Sequence, residues 1–238
     1  MKIKSLLYAG FLAVASSIGT GGTMSIGFIS TAIADEAPTY KPPAVGAPTR
    51  RVGGGTRSAG TPPLLAVLAP ESTGYTTQAQ PTLYWATSKV LSEPFSITIN
   101  VNNPDMPILE TIASQNVMVS SPGIQSFSLA EHGITLKPNM DYEWAVTIVS
   151  DDVAMKTAFT AGTIKHVESS DTLAKRLESA KDKETPYIYA EEGIWYDAIH
   201  ALSNLINQSS GDASLMQARI SMLKQVNLTP EGDSFKAK

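Results

Sequence analysis

Leu136-Lys137-Pro138-Asn139-Met140-Asp141-Tyr142-Glu143-Trp144-Ala145-Val146-Thr147-Ile148-Val149 is the stretch on which the architecture turns. From Tyr142 onward, alternate residues are large and apolar (Tyr142, Trp144, Val146, Ile148), with Glu143, Ala145 and Thr147 between them. That period of two describes a strand with one face on a core. Just upstream, Leu136-x-Pro138 and a polar corner hold the chain out of regular pairing. A Tyr at the start of such a strand buries its ring and turns its hydroxyl back onto upstream backbone, the tyrosine corner of two-sheet sandwiches.

The same reading extends on both sides. Strand-like runs occupy 64–69, 82–86, 95–101, 108–112, 124–129, 142–150 and 158–167. Pro70, Gly74, Pro81, Pro94, Pro104, Pro107, Pro122, Gly123, Gly133 and Pro138 punctuate them. Phe95-Ser96-Ile97-Thr98-Ile99-Asn100-Val101 alternates cleanly, and Leu83 and Trp85 flank Tyr84. Short strands this evenly spaced, over about a hundred residues, suggest an all-β sandwich. The spacing Leu136-x-Pro138-x-x-x-Tyr142-x-Trp144-x-Val146 resembles the E–F corner and F strand of fibronectin type III domains. Trp85 resembles their core Trp. The resemblance implies an Ig/fibronectin-like antiparallel β-sandwich over residues 64–168.

After Val167 the period changes from strand to helix. Ser169 or Ser170 is placed to cap a helix carrying Leu173, Ala174 and Leu177. Thr185-Pro186 opens a second, with a capping hydroxyl and then Pro in the first turn, ending near Gly193. Trp195, Ala198, Ile199, Leu202, Leu205 and Ile206 recur at three- and four-residue spacing, an amphipathic helix. Asp212 is placed to cap a last helix with Leu215, Ala218, Met222, Leu223 and Val226 on one face. Ala190-Glu191-Glu192-Gly193-Ile194-Trp195-Tyr196-Asp197-Ala198-Ile199 resembles the turn between the helices of a tetratricopeptide repeat. About one and a half such repeats are too few for a free-standing solenoid. Residues 169–228 are therefore expected as a small TPR-like helical unit packed on the sandwich or on a partner. Residues 229–238 are expected as a flexible tail. The fold class is α+β.

The N-terminal third reads differently. Lys2 and Lys4 precede an apolar run from Leu6 to Ala15, broken only by Gly10, and Ala32-Ile33-Ala34 precedes Asp35. This order describes a secretory signal peptide over residues 1–34. Gly19 to Ser25 interrupts the run before the ~18 apolar residues of a membrane anchor accumulate. Membrane contact is thus expected only in transit, with the product exported to the periplasm or cell surface. Residues 35–63, rich in Pro, Gly and Thr without apolar period, read as a largely disordered linker. Within it, Arg50-Arg51-Val52-Gly53-Gly54-Gly55-Thr56-Arg57 is either flexible linker or an anion cradle of backbone N–H groups. It lacks the Gly-Lys-Ser/Thr ending of a phosphate loop.

Composition excludes several chemistries. The chain has 238 residues and a formal charge of −4. Loss of residues 1–34 removes Lys2 and Lys4, leaving 16 basic against 22 acidic residues and a charge of −6. A mildly acidic domain is a poor nucleic-acid binder, since phosphate binding needs clustered Lys and Arg. With no cysteine there is no disulfide, thiolate metal site or thiol nucleophile. His132, His166 and His200 fall in a turn, a strand end and a helix, without ligand spacing. No Gly-x-Ser-x-Gly elbow exists. Glu191 and Glu192, about 100° apart on a helix, are not a matched acid/base pair. Asp151-Asp152 lacks further oxygen ligands in sequence for calcium. No catalytic residue, cofactor site or metal site is assigned.

Taken together, the segments resemble a bacterial, mainly cyanobacterial family known as domain of unknown function 928. Arg51-Val52-Gly53-Gly54-Gly55-Thr56-Arg57, Leu68-Ala69-Pro70-Glu71, Thr76-Thr77 and Pro81-Thr82-Leu83-Tyr84-Trp85 carry the resemblance. Tyr142-Glu143-Trp144 and Ala190-Glu191-Glu192-Gly193-Ile194-Trp195-Tyr196-Asp197 complete it, over about residues 50–228. The resemblance implies an exported, soluble protein and brings no activity, substrate or catalytic residue. It raises the standing of the Arg–Gly loop. Candidate interaction residues are accordingly Arg51, Gly53, Gly54, Gly55, Arg57, Trp195, Tyr196 and Asp197. For the last three the alternative is structural: Trp195 in a core, Asp197 complementing a helix dipole, Tyr196 partly exposed. The expected function is a non-enzymatic module binding an unidentified envelope protein. The other readings are a glycan- or wall-binding sandwich, with Tyr75 and Tyr84 stacking on sugar, and an exported hydrolase with an unrecognised site.

Overall fold

The computed structural model describes residues 38–43, 52–54, 64–102, 110–148 and 158–228. Its strands are β1 (Val52–Gly54), β2 (Leu65–Val67), β3 (Gly74–Thr76), β4 (Thr82–Thr87), β5 (Phe95–Val101), β6 (Glu110–Val117), β7 (Gly123–Ser128), β8 (Asp141–Ile148) and β9 (Phe159–His166). Four helices follow: α1 (Asp171–Glu178), α2 (Thr185–Glu191), α3 (Trp195–Gln208) and α4 (Ala213–Gln225). The fold is α+β, an N-terminal β-sandwich followed by helices. The signal-peptide and tail assignments lie outside the described residues.

One sheet runs β1-β9-β8-β5-β6, with β3 also paired to β9, and the other runs β2-β4-β7. β5 and β8 are antiparallel from Phe95↔Ile148 to Val101↔Tyr142, which brings their alternating apolar residues onto one face. Phe95, Ile97, Ile99, Tyr142, Trp144 and Val146 are buried there beside Leu83, Trp85 and Phe127 of the facing sheet. Val67 of β2 donates its N–H to the Thr160 hydroxyl of β9, a polar tie between the sheets. The corner forms as expected. The Lys137 N–H donates to the Tyr142 hydroxyl at 3.0 Å, and Leu136 and Tyr142 are both buried.

The structure departs from the sequence reading in four places. β6 lies further along than residues 108–112, and its side chains are largely exposed. Pairing to β5 holds this edge strand rather than burial, so it has no apolar alternation to read. β3, three residues long, adds in parallel to β9 and is too short to show a period. Within the segment read as disordered linker, β1 pairs antiparallel with β9 at Val52↔Ala161. Also in that segment, Tyr40 is buried, with its N–H donating to Gln225 and its ring edge-on to Trp195 at 4.8 Å. Backbone pairing and one aromatic anchor leave no trace in a Pro/Gly composition. Finally, α2 starts at Thr185 itself, with Glu184 preceding it and no side-chain cap. The other caps are as expected: the Ser170 hydroxyl accepts from Leu173 N–H, and Asp212 accepts from Ser214 N–H.

The helices share the core of the sandwich. Trp195, Tyr196, Ala198 and Ile199 at the start of α3, with Met222 and Leu223 near the end of α4, join the cluster that fills the sandwich. Two smaller clusters lie outside it. Leu202, Leu205, Ile206, Leu215 and Ala218 join α3 to α4, while Leu173, Ile188 and Ile194 lie under α1 and α2. Gly193 lets α2 turn into α3. Its φ is +75°, and a Cβ there would sit 2.7 Å from the Lys41 carbonyl oxygen.

Candidate functional site

The first turn of α3 delivers three consecutive side chains into the sandwich. The Trp195 indole N–H donates to the Leu68 carbonyl at 2.8 Å. The Tyr196 hydroxyl donates to the Thr163 carbonyl at 2.9 Å and accepts from the Trp144 indole at 2.8 Å. That chain of bonds links the helix to the strand on which the fold is built. Gly74 makes room, since a Cβ there would lie 2.7 Å from the Tyr196 ring. Asp197 accepts from the Thr76 hydroxyl, from the Thr77 N–H at 2.9 Å and from the Thr77 hydroxyl, so it ties the end of β3 to the first turn of α3. Burial pushes its carboxyl above the ordinary carboxylate range, and these hydrogen bonds pull it back.

One turn along, a second polar chain begins. His200 is half-buried, with Nδ1 at 3.0 Å from the Tyr84 hydroxyl and Nε2 at 3.0 Å from the Asn204 amide nitrogen. Burial lowers the imidazole below its ordinary value, and the Asp197 carboxylate opposes that shift. A neutral ring offers one donor and one acceptor. The arrangement that satisfies both has Asn204 donating to Nε2 and Nδ1–H donating to Tyr84. Beside Tyr84, the Ser203 hydroxyl accepts from buried Arg219 at 3.5 Å. Burial raises the Tyr84 phenol and lowers the Arg219 guanidinium.

Two concavities flank this joint. A cleft of about 370 Å³ lies over α3, walled by Tyr189 and His200, with Gln78, Gln80 and Asn204 on its rim. A second, of about 630 Å³, lies between α1, α2 and the start of α4. Ala180, Tyr187, Ile188 and Leu215 form its apolar lining, and Arg176, Lys181, Lys183 and Glu184 its charged rim. Glu191 and Glu192 each hold Arg176 at 2.6 Å, which raises the guanidinium and lowers Glu191. Lys181 and Lys183 are exposed.

Trp195, Tyr196 and Asp197 come together as a buried joint, with Tyr196 and Asp197 behind the cleft over α3. The expected partial exposure of Tyr196 is corrected by its complete enclosure between β3, β8 and β9. Gly53 and Gly54 sit in β1, and Arg51, Gly55 and Arg57 lie outside the described residues. Tyr84 is buried with its hydroxyl on His200, so its ring is not available to stack on a sugar; Tyr75 is half-buried in β3. Residues that sequence reasoning missed are Thr76 and Thr77, His200, Asn204 and Arg219. Thr76 and Thr77 entered only through the family resemblance, Arg219 left no signal, and His200 and Asn204 left a helical one. Asp197, His200 and Asn204 recur at intervals of three and four on one stripe of α3. Among the described residues no group of His, Asp and Glu side chains is arranged to hold a metal ion, and no helix is long and apolar enough to cross a membrane.

The chain matches the family model described as Domain of Unknown Function (DUF928) over residues 46–234. No curated protein matches it.

Proposed function

We propose that this chain, which belongs to the DUF928 family, is an exported, non-enzymatic interaction module that binds an envelope protein through the groove of its helical unit. The observation that carries the reading is the groove between α1, α2 and α4. An apolar floor of Ala180, Tyr187, Ile188 and Leu215 is bordered by exposed Lys181 and by Lys183, whose ammonium lies 3.8 Å from the Asp212 carboxylate. Such a surface suits a segment with an apolar anchor flanked by acidic residues, the helix-pair version of peptide recognition. The joint at Trp195–Asp197 supports the same reading, because it ties the groove to the sandwich and limits the ordering cost of binding. The basic and apolar order of residues 1–34 supports export to the periplasm or cell surface.

The test is selection of displayed peptides on the mature chain, residues 35–238. Peptides pairing an apolar residue with Asp or Glu should enrich, and Lys181→Glu with Lys183→Glu should weaken their binding about tenfold or more. No enrichment, or enrichment indifferent to the charge reversal, overturns the reading. Export is tested separately by N-terminal sequencing of the mature protein from the cell envelope, with Asp35 as the expected first residue.

A further inference from the structure

The cleft over α3 is built differently from the helical groove, and its chemistry points to a different ligand. No Lys or Arg lines it. Its single carboxylate, Asp197, is turned to Thr76 and Thr77 beneath the floor. Neither an anion nor a cation finds a counter-charge on the surface, so the site favours a neutral ligand. The rim instead carries three carboxamides, Gln78, Gln80 and Asn204, each offering donors and an acceptor from one planar group. Such groups match adjacent hydroxyls, which also donate and accept. One wall is the ring of Tyr189, half-buried and able to lie against the apolar face of a pyranose. Ala201 keeps the floor open, and the space of about 370 Å³ is in the range of small-molecule sites.

The cleft is also pre-organised. Asn204 is held by His200, His200 by Tyr84, and Gln80 by the Thr135 hydroxyl at 3.1 Å. Its walls come from both parts of the fold, since Gln78, Gln80, Pro81 and Thr82 belong to the sandwich and the rest to α2 and α3. We infer that this cleft is a binding site for a neutral mono- or disaccharide unit, recognised by the carboxamide rim and the Tyr189 ring. The inference does not depend on the peptide groove, whose residues lie elsewhere.

Calorimetric titration of the mature chain with cellobiose, maltose and the N-acetylglucosamine dimer tests it, with glucuronic acid as the anionic comparison. At least one neutral sugar should bind saturably below about 10 mM. Asn204→Ala, at an exposed position, and Ala201→Leu, which fills the floor, should each weaken that binding about tenfold or more. Circular dichroism melts confirm that both variants are folded, and Lys175→Glu, at an exposed position of α1, should bind sugar as the parent does. Absence of saturable binding, preference for glucuronic acid, or binding untouched by both cleft variants overturns the proposal.

Discussion

The two ends of α3 rest on different neighbours. Its first five residues, Trp195 to Ile199, are all buried against the sandwich, and three of them bond by side chain to β-sheet or loop groups. Its last turns carry Leu202, Leu205 and Ile206, which pack with Leu215 and Ala218 of α4 in a cluster apart from the sandwich. A helix is amphipathic along its whole length here, yet only one end is part of the main core. The helical unit is therefore less a second domain than a continuation of the sandwich interior, with a separately packed outer layer. Binding surfaces follow the same division. The cleft is formed where the inner end meets the sheets, and the groove where α1, α2 and α4 meet outside them.

Removing the largest side chain of the inner end gives the strongest test. Trp195→Ala leaves a cavity at a fully buried position and strips the Leu68 carbonyl of its donor, for a loss of about 4 kcal/mol. Urea unfolding followed by far-ultraviolet dichroism and by tryptophan fluorescence should move together in this variant. If only the helical signal moved, the inner end would not be part of the sandwich core. Leu215→Ala in the outer cluster should cost about half as much, because a small, peripheral cluster can collapse around the gap.

The polar half of the joint gives the next effect. Asp197→Ala deprives buried Thr76 and the Thr77 N–H of their acceptor, at a cost of about 2 kcal/mol. Asp197→Asn should cost less than about 1 kcal/mol, since its oxygen can still accept at Thr77 and its amide can donate to the Thr76 hydroxyl. Equal losses in the two variants would mean that the negative charge, not the hydrogen bonds, holds β3 to α3.

The smallest effect is a pH slope. The folded-state value of His200 is lowered, so between that value and the ordinary 6.5 the unfolded chain binds more protons. The stability this residue contributes is full above 6.5 and is lost as pH falls through the window below it. Asp197 runs the other way: its folded value is raised, so its contribution is present at acid pH and lost as pH rises through that value. His200→Asn retains Asp197, so thermal melts compared with the parent isolate the histidine. The variant should lose less stability than the parent between about pH 7 and about pH 5. Parallel slopes would show that the ring is not held neutral by its burial.

Much of the fold was legible because burial imposes a period on side chains. β5 and β8 alternate, and Phe95 to Val101 was assigned to the residue. Caps at Ser170 and Asp212 were legible too, since few side chains can serve an unpaired helical N–H. β6, β1 and β3 were misplaced or missed because backbone pairing, not side-chain burial, holds them. The site was read only in part. Trp195, Tyr196 and Asp197 stood out as a polar-aromatic motif, but their partners Leu68, Thr76, Thr163 and Trp144 lie 33 to 127 residues away in sequence.

By itself the amino-acid sequence determined that strands of period two come first and helices of period 3.6 come after. It also set the tyrosine corner and the absence of any thiol chemistry. Each of these depends on the residue and its near neighbours, through sterics, capping and the alternation of faces. Only the tertiary structure decided that the helices would complete the sandwich core rather than pack on a partner. It alone buried Asp197 between two threonines and brought Gln78, Gln80, Tyr189 and Asn204 around one space. Those arrangements depend on where two distant surfaces meet, and no local period records which of two apolar faces another will choose.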